Sequence, residues 1–226
     1  MKSVYDRTEK LIGPDKLKII KNSGVIVFGL GGVGGYAVEA FARAGVGRMG
    51  IVDFDVVDVT NINRQIIALG STIGKYKTDV FVSRISDINK EIRVDAFKEK
   101  LSEGNVDCFF LGEYDYIVDA VDDVAAKVAL IEKAKALNIP IISSMGTGNR
   151  MDPSMLKICD ISRTHTCPLA KKVRKGLSIR GIEEVKTLFS DEPAGKFEGG
   201  PASISFVPAA AGLLIAGEVI RSLLSE

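Results

Sequence analysis

Apolar and polar positions along this chain recur in two different periods, and the switches between those periods mark out strands and helices. Short apolar and β-branched runs at 25–28, 48–53, 93–97, 116–120 and 140–143 read as strands. Between them, 35–44, 77–89 and 124–137 carry apolar residues at helical spacing. The first strand, helix and second strand make a βαβ unit. The continued alternation predicts an α/β, Rossmann-like, doubly wound fold on a mostly parallel sheet. Past residue 144 the pattern changes. A glycine-containing loop at 145–150 leads to a predicted strand at 156–160 and a short basic helix. The stretch 190–200, with Pro193 and three glycines, reads as a mobile surface loop able to fold over a substrate. A strand at 203–207 and a helix at 209–224 are expected to follow, so the second half is a modified one rather than another βαβ repeat.

Length and composition narrow the class. At 226 residues with no obvious interior linker, 1–226 is expected to form a single domain with a full core. Lys and Arg total 30 against 29 Asp and Glu, so overall charge selects no polyanion partner, and local charge has to be read instead. Cys108, Cys159 and Cys167 are odd in number and none sits at C-x-x-C spacing, which argues against a disulfide framework or a thiolate zinc site. The first thirteen residues are charged and lack a signal-peptide apolar core. A reducing cytoplasm is the expected location. The uncharged stretch 199–217 approaches a membrane span in length, but Gly199, Gly200, Pro201 and Pro208 interrupt it. A buried strand and core helix is therefore expected there, not membrane association.

The candidate chemistry begins at Gly29-Leu30-Gly31-Gly32-Val33-Gly34, directly after the first strand. Glycines there let backbone N–H groups approach a phosphate at the positive end of a helix. A carboxylate ending the next strand, Asp53 in Asp53-Phe54-Asp55, can then grip a ribose. Those two features suit a dinucleotide as well as ATP. Arg64, in Asn61-Ile62-Asn63-Arg64-Gln65, and Lys77 separate the two ligands, because cations along a phosphate chain neutralise charge that develops when a phosphate bond breaks, which hydride transfer does not require. In an open α/β sheet ligands lie at the carboxyl ends of strands, so Gly31, Asp53 and Asp122 should converge. Asp122 can then hold Mg²⁺, which takes oxygen ligands and keeps waters and phosphate contacts.

The ordered set G-L-G-G-V-G, D-F-D, N-I-N-R-Q, the lysine of G-K-Y-K, and D-A-V-D-D resembles the ubiquitin-activating-enzyme-like (ThiF/MoeB/HesA) adenylyltransferases. Within them, Met145-Gly146-Thr147-Gly148-Asn149, the basic string from Cys167 to Lys175 and Ser205-Phe206-Val207-Pro208 are similar to the tRNA threonylcarbamoyladenosine dehydratases. The resemblance covers nearly the whole chain. It implies ATP held by Gly29, Gly31, Gly32, Asp53, Asp55, Asn61, Arg64, Lys77 and Asp122, with Mg²⁺ on Asp122. It further implies a homodimer in which Arg7 reaches the partner subunit's nucleotide, making Arg7, Arg64, Lys77 and Asp122 the catalytic set. The implied reaction adenylates the threonyl carboxylate of the modified nucleoside in tRNA and closes a ring with net loss of water. Whether a cysteine desulfurase or a sulfur-acceptor protein assists is left open. The competing expectation is activation of the C-terminus of a ubiquitin-like sulfur carrier in thiamine or molybdopterin synthesis. Relatives of that kind often carry paired C-x-x-C zinc ligands, which this sequence lacks.

Several residues have plainer readings. Asp55 either assists the nucleotide or caps a local turn. Asp119 and Asp123 are expected to be helix-start groups, Cys167 a half-buried N-cap of the basic helix, and His165, the only histidine, a surface or capping residue. Between 161 and 182 stand Arg163, Lys171, Lys172, Arg174, Lys175 and Arg180 with no acid among them. Leu169, Val173 and Leu177 form an apolar stripe that leaves a basic face, either merely solvated or meeting RNA phosphates.

Overall fold

The computed structural model describes residues 3–109, 114–198 and 202–225. Two short helices, α1 (Asp6–Ile12) and α2 (Pro14–Asn22), precede β1 (Gly24–Phe28), α3 (Gly34–Ala44), β2 (Arg48–Val52), α4 (Lys77–Ile88) and β3 (Arg93–Phe97). Then come β4 (Tyr116–Asp119), α5 (Val124–Ala136), β5 (Ile141–Ser144), β6 (Leu156–Asp160), α6 (Pro168–Ile179), β7 (Lys186–Ser190) and α7 (Phe206–Leu223). Seven strands form one sheet in the order β3-β2-β1-β4-β5-β7-β6. All neighbours run parallel except β6 against β7. This is the expected doubly wound α/β sheet with an altered second half.

The strands are buried on both faces because helices cover both. Alternate residues of β1 point to opposite cores: Val25 and Val27 join one with α3 and α7, Ile26 and Phe28 the other with α5 and α6. The α3 and α7 helices approach closely at Gly212, where a Cβ would lie 2.3 Å from the Val33 carbonyl oxygen. That contact explains how α7, the one helix among the described residues long and apolar enough to cross a membrane, is instead packed along one side on the sheet's outer layer.

The expected strand at 203–207 does not form. Residues 202–204 have no regular structure, and Phe206 and Val207 open α7. The alternating Ser-Ile-Ser-Phe imitates a strand, but Pro208 in the first helical turn loses no hydrogen bond there and presets a helical φ. The sheet place is taken by β7, which the sequence pattern did not reveal. Helices α1 and α2 were likewise not anticipated. Of the loop predicted at 190–200, Ser190 ends β7 and 191–198 lack regular structure, while Gly199, Gly200 and Pro201 lie outside the described residues.

Candidate functional site

The chain winds from β1 outward to β2 and β3, then crosses to β4 on the other side of β1. A crevice opens at the carboxyl ends of strands where the winding reverses. A cavity of about 340 Å³ lies there. Gly29, Gly31 and Gly32 form one wall; Asp53 and Asp55, after β2, form another. Asn61, Arg64 and Lys77 reach in from the segment before α4, and Asp122 comes from the β4–α5 turn. Nine sequence-predicted positions thus line one space. A larger cavity of about 730 Å³ sits at the amino ends of β4, β5 and β7 and contains none of them.

Local geometry explains the convergence. Gly29 has φ +85°, and a Cβ there would come 2.7 Å from the Ala120 carbonyl oxygen, so only glycine lets the first loop pass against the β4–α5 turn. At Gly31 a Cβ would meet only the Gln65 side chain, at 3.9 Å, leaving space in front of the loop. The Asp53 carboxylate, 7% exposed, accepts hydrogen bonds from Leu30 N at 2.6 Å and Asp55 N at 2.8 Å. It therefore locks the glycine loop as well as facing the cavity.

Lys77 is buried at the start of α4, held there by its own N–H to Asp55 O and by the bridge between Val56 and Tyr76. Its ammonium donates to Asp55 Oδ2 at 2.7 Å and stands 3.8 Å from Asp53 Oδ2. Asp55 is thus a partner of the buried lysine, not a simple turn cap. Asn61 Oδ1 accepts from Asp58 N and closes the short turn that precedes Arg64. Arg64 Nη1 donates to Thr60 O and Asn63 Oδ1, leaving its remaining guanidinium donors unused among the described residues. Asp122 makes no hydrogen bond or ion pair among the described residues, whereas neighbouring Asp123 caps α5 through Ala126 N, as expected.

Two features were missed. Gln65, 7% exposed, lines the cavity and carries a buried Oε1 acceptor with no hydrogen-bond partner among the described residues. It stood in the N-I-N-R-Q string without being singled out. Asp119 is not a helix-start group. It is fully buried and accepts from Lys127 Nζ at 2.9 Å, Ser143 Oγ at 2.5 Å and Val121 N at 3.2 Å. Arg7 is exposed on α1 and does not line this cavity.

Farther along the chain, Cys167 is the buried N-cap of α6, its sulfur accepting from Ala170 N. His165 is exposed beside Asp191. The basic face is smaller than expected. Arg174 is fixed to the Thr164 carbonyl and hydroxyl, and Arg180 pairs with Glu103 and Glu132. Of the expected stripe Val173 and Leu177 are fully buried, joined by Ala170, while Leu169 is only partly buried. Arg163, Lys171, Lys172 and Lys175 remain exposed.

Residues 5–226 match the ThiF family. The chain belongs to that family. A tRNA threonylcarbamoyladenosine dehydratase of Bacillus subtilis is 43% identical, the match spanning 98% of this chain and 95% of the relative. The Escherichia coli protein of the same description is 38% identical over 76% of this chain and 65% of its own length. A crystal structure of the E. coli enzyme in complex with ATP superposes with TM-score 0.93 at 32% identity, covering 98% of this chain and 93% of that one. Its complex with AMP also gives 0.93, at 31% identity, covering 100% and 98%. An adenylyltransferase and sulfurtransferase of Saccharomyces cerevisiae, UBA4, is 32% identical over 73% of this chain but only 36% of its own length.

Proposed function

We propose that this ThiF-family protein is an ATP-dependent tRNA-modifying enzyme that dehydrates and cyclises threonylcarbamoyladenosine. One observation carries the reading: the near-full-length match to dehydratases falls on a chain whose phosphate-side cations and free Asp122 share one cavity with the glycine loop. The carrier-activating alternative is weaker, because the UBA4 match leaves most of that relative uncovered.

A free carboxylate is a poor electrophile, since its leaving group would be oxide. In the proposed first step a threonyl carboxylate oxygen attacks the α-phosphorus of ATP, and pyrophosphate leaves. Arg64 and Lys77 neutralise charge along the phosphate path, with Lys77 exchanging Asp55 for phosphate oxygens. The carbamoyl group of the substrate then attacks the acyl carbon and AMP departs, carrying the oxygen lost by the carboxylate. The AMP complex of the E. coli relative fits that product. Positioning supplies much of the rate, and no protein nucleophile is required. Gln65 adds a polar contact at the glycine loop.

The donor set fits Mg²⁺. No cluster of three His, Cys, Asp or Glu residues forms a metal cage among the described residues, and Asp122 is an uncommitted carboxylate on the cavity wall. Mg²⁺ commonly binds through one or two carboxylates together with substrate phosphates. When bound, it would neutralise phosphate charge.

The deciding experiment is mass analysis of tRNA nucleosides after incubation with pure protein, ATP and Mg²⁺. Loss of one water from threonylcarbamoyladenosine is expected, and an unchanged nucleoside overturns the reading. A cytoplasmic homodimer belongs to the same proposal. In it, exposed Arg7 completes the partner's site, so mixing inactive Arg7→Ala and Asp122→Ala proteins restores part of the activity. No recovery after verified subunit exchange removes Arg7 from the site. The proposal also gives RNA phosphates to Lys171, Lys172 and Lys175. Neutralising all three should weaken tRNA binding and flatten its salt dependence while leaving ATP binding unchanged, as filter binding would show.

A further inference from the structure

Aromatic rings on a protein surface expose apolar area, and in this chain their distribution is uneven. Among the described residues the exposed large hydrophobics include four aromatics: Phe54, Tyr76, Phe197 and Phe206. Two of them, Phe54 at 48% exposure and Tyr76 at 43%, lie on adjoining segments, and Phe54 lines the nucleotide cavity. Their neighbourhood is fixed by backbone pairing. Val56 bridges antiparallel to Tyr76, and Lys77 N donates to Asp55 O, so the segment after β2 runs against the segment entering α4.

The chain leaving β3 passes the same place and puts a lysine against each ring. Lys98 Nζ lies 4.8 Å from the Tyr76 ring centroid, and Lys100 Nζ lies 5.5 Å from that of Phe54. Positions 98 and 100 are two apart, the spacing that sends extended side chains to one side. Two ring-and-ammonium rungs result. Phe54 and Lys100 also line the cavity, while Tyr76 and Lys98 lie outside its lining, so the rungs lead from the cavity toward the surface. Lys98 shares its charge with Asp79 at 2.8 Å; Lys100 makes no ion pair among the described residues.

We infer that these two rungs form a shelf for single-stranded RNA, on which Phe54 and Tyr76 stack unpaired bases while Lys100 and Lys98 meet the flanking phosphates. The inference rests on the tRNA-modifying reading above and deepens it. A nucleoside that must bring its carboxylate to a nucleotide cavity drags its neighbours to the rim, and unpaired bases find planar partners there. Proteins that bind single strands combine such stacking rings with cations that follow the backbone. A protein partner would have to bring acidic side chains to both lysines, whereas a single strand carries a phosphate beside every base. Adenine of ATP could use Phe54, whereas Tyr76 lies outside the cavity lining.

Fluorescence anisotropy with a labelled, unstructured decaribonucleotide of mixed sequence tests the shelf, alongside ATP affinity and thermal melting of each variant. Tyr76→Ala should weaken the oligonucleotide about tenfold and leave ATP affinity at the wild-type level, while Tyr76→Phe, which keeps the ring, should stay within about twofold. Lys100→Gln should lower the salt slope by about 0.7. Phe54→Ala should also weaken RNA, whatever it does to ATP. Wild-type RNA affinity in both alanine variants overturns the shelf, as does no measurable oligonucleotide binding by the native protein. A loss in Phe54→Ala confined to ATP assigns that ring to the nucleotide and overturns the shelf as drawn. The nucleoside assay separates this from the wider reading: dehydration with shelf-independent RNA binding sinks the shelf alone, and shelf-dependent RNA binding without dehydration sinks the function alone.

Discussion

Two buried lysines flank the candidate site, and their surroundings are opposite. Lys77 meets a carboxylate that is itself nearly half exposed, Asp55, and its ammonium lines an open cavity. Lys127 meets Asp119 where neither side chain has any exposure, and Ser143 closes the remaining side. The first ion pair can open toward a ligand without leaving a charge stranded, because Asp55 can rehydrate. The second cannot open without burying a bare carboxylate. One lysine is therefore suited to changing partners during a reaction. The other holds β4, β5 and α5 around the turn that presents Asp122, through Asp119 Oδ1 and the Val121 amide.

Replacing each lysine by methionine should separate the roles. Lys77→Met is expected to cost about 100- to 1,000-fold in ATP turnover, the range for removing one preorganised transition-state donor. Its melting temperature should stay near that of the parent. Retained turnover in a folded Lys77→Met protein would break the comparison at its stronger end.

Lys127→Met should act on the fold. Removing one member of a buried pair costs about 3–5 kcal/mol, because the remaining charge is uncompensated. For a chain of this size that corresponds to roughly 10 °C in melting temperature. Adding Asp119→Leu should recover most of the loss, since an apolar pair of similar volume removes the stranded charge. A Lys127→Met protein that melts like the parent would show that Lys127 is no more committed than Lys77.

The same contrast separates what could be read in the sequence from what could not. Asp53 and Asp122 were legible because each follows a strand end, and the topology of an open parallel sheet brings strand ends together; Arg64 and Lys77 were legible as cations ordered after Asp53 in the connection that leads to α4. Asp119 was illegible as an ion-pair partner, because nothing in D-A-V-D-D says which aspartate faces inward. Its depth depends on β5 packing beside β4 and on a lysine one helical turn into α5. The exposed charge of α6 was overread for a related reason: Arg174 and Arg180 find partners on distant segments, at Thr164, Glu103 and Glu132. In the fold, β7 escaped notice because Thr187 and Ser190 are buried polar residues that erase the apolar run. The strand expected at 203–207 was the converse error, an alternating pattern overridden by Pro208 in a helical first turn.

A third buried charge, Glu39, lies between the two extremes and gives the smallest effect. Its carboxylate is 7% exposed, but both its partners reach the surface: Arg84 donates at 2.6 and 3.0 Å, and Arg43 at 2.7 Å. Burial raises the pKa of this carboxyl; hydrogen bonds from Arg84 and Arg43 outweigh that and leave it below the ordinary 4.5. A folded-state value below the unfolded one means that the clamp stabilises the protein above pH 4.5 and is lost as pH falls through the folded value. Glu39→Gln should therefore be less stable than the parent near neutral pH, by about 1 kcal/mol because the arginines are solvent-screened. The gap should close as pH falls below 4.5 and through the folded value, where the parent's carboxylate takes up its proton. Urea unfolding of the two proteins side by side measures the difference and cancels the titration of shared carboxylates. A gap that stays constant as pH is lowered from neutral into the acid limb of unfolding would mean that the arginines do not hold Glu39 ionised, and that its place between Lys77 and Lys127 rests on packing instead of charge.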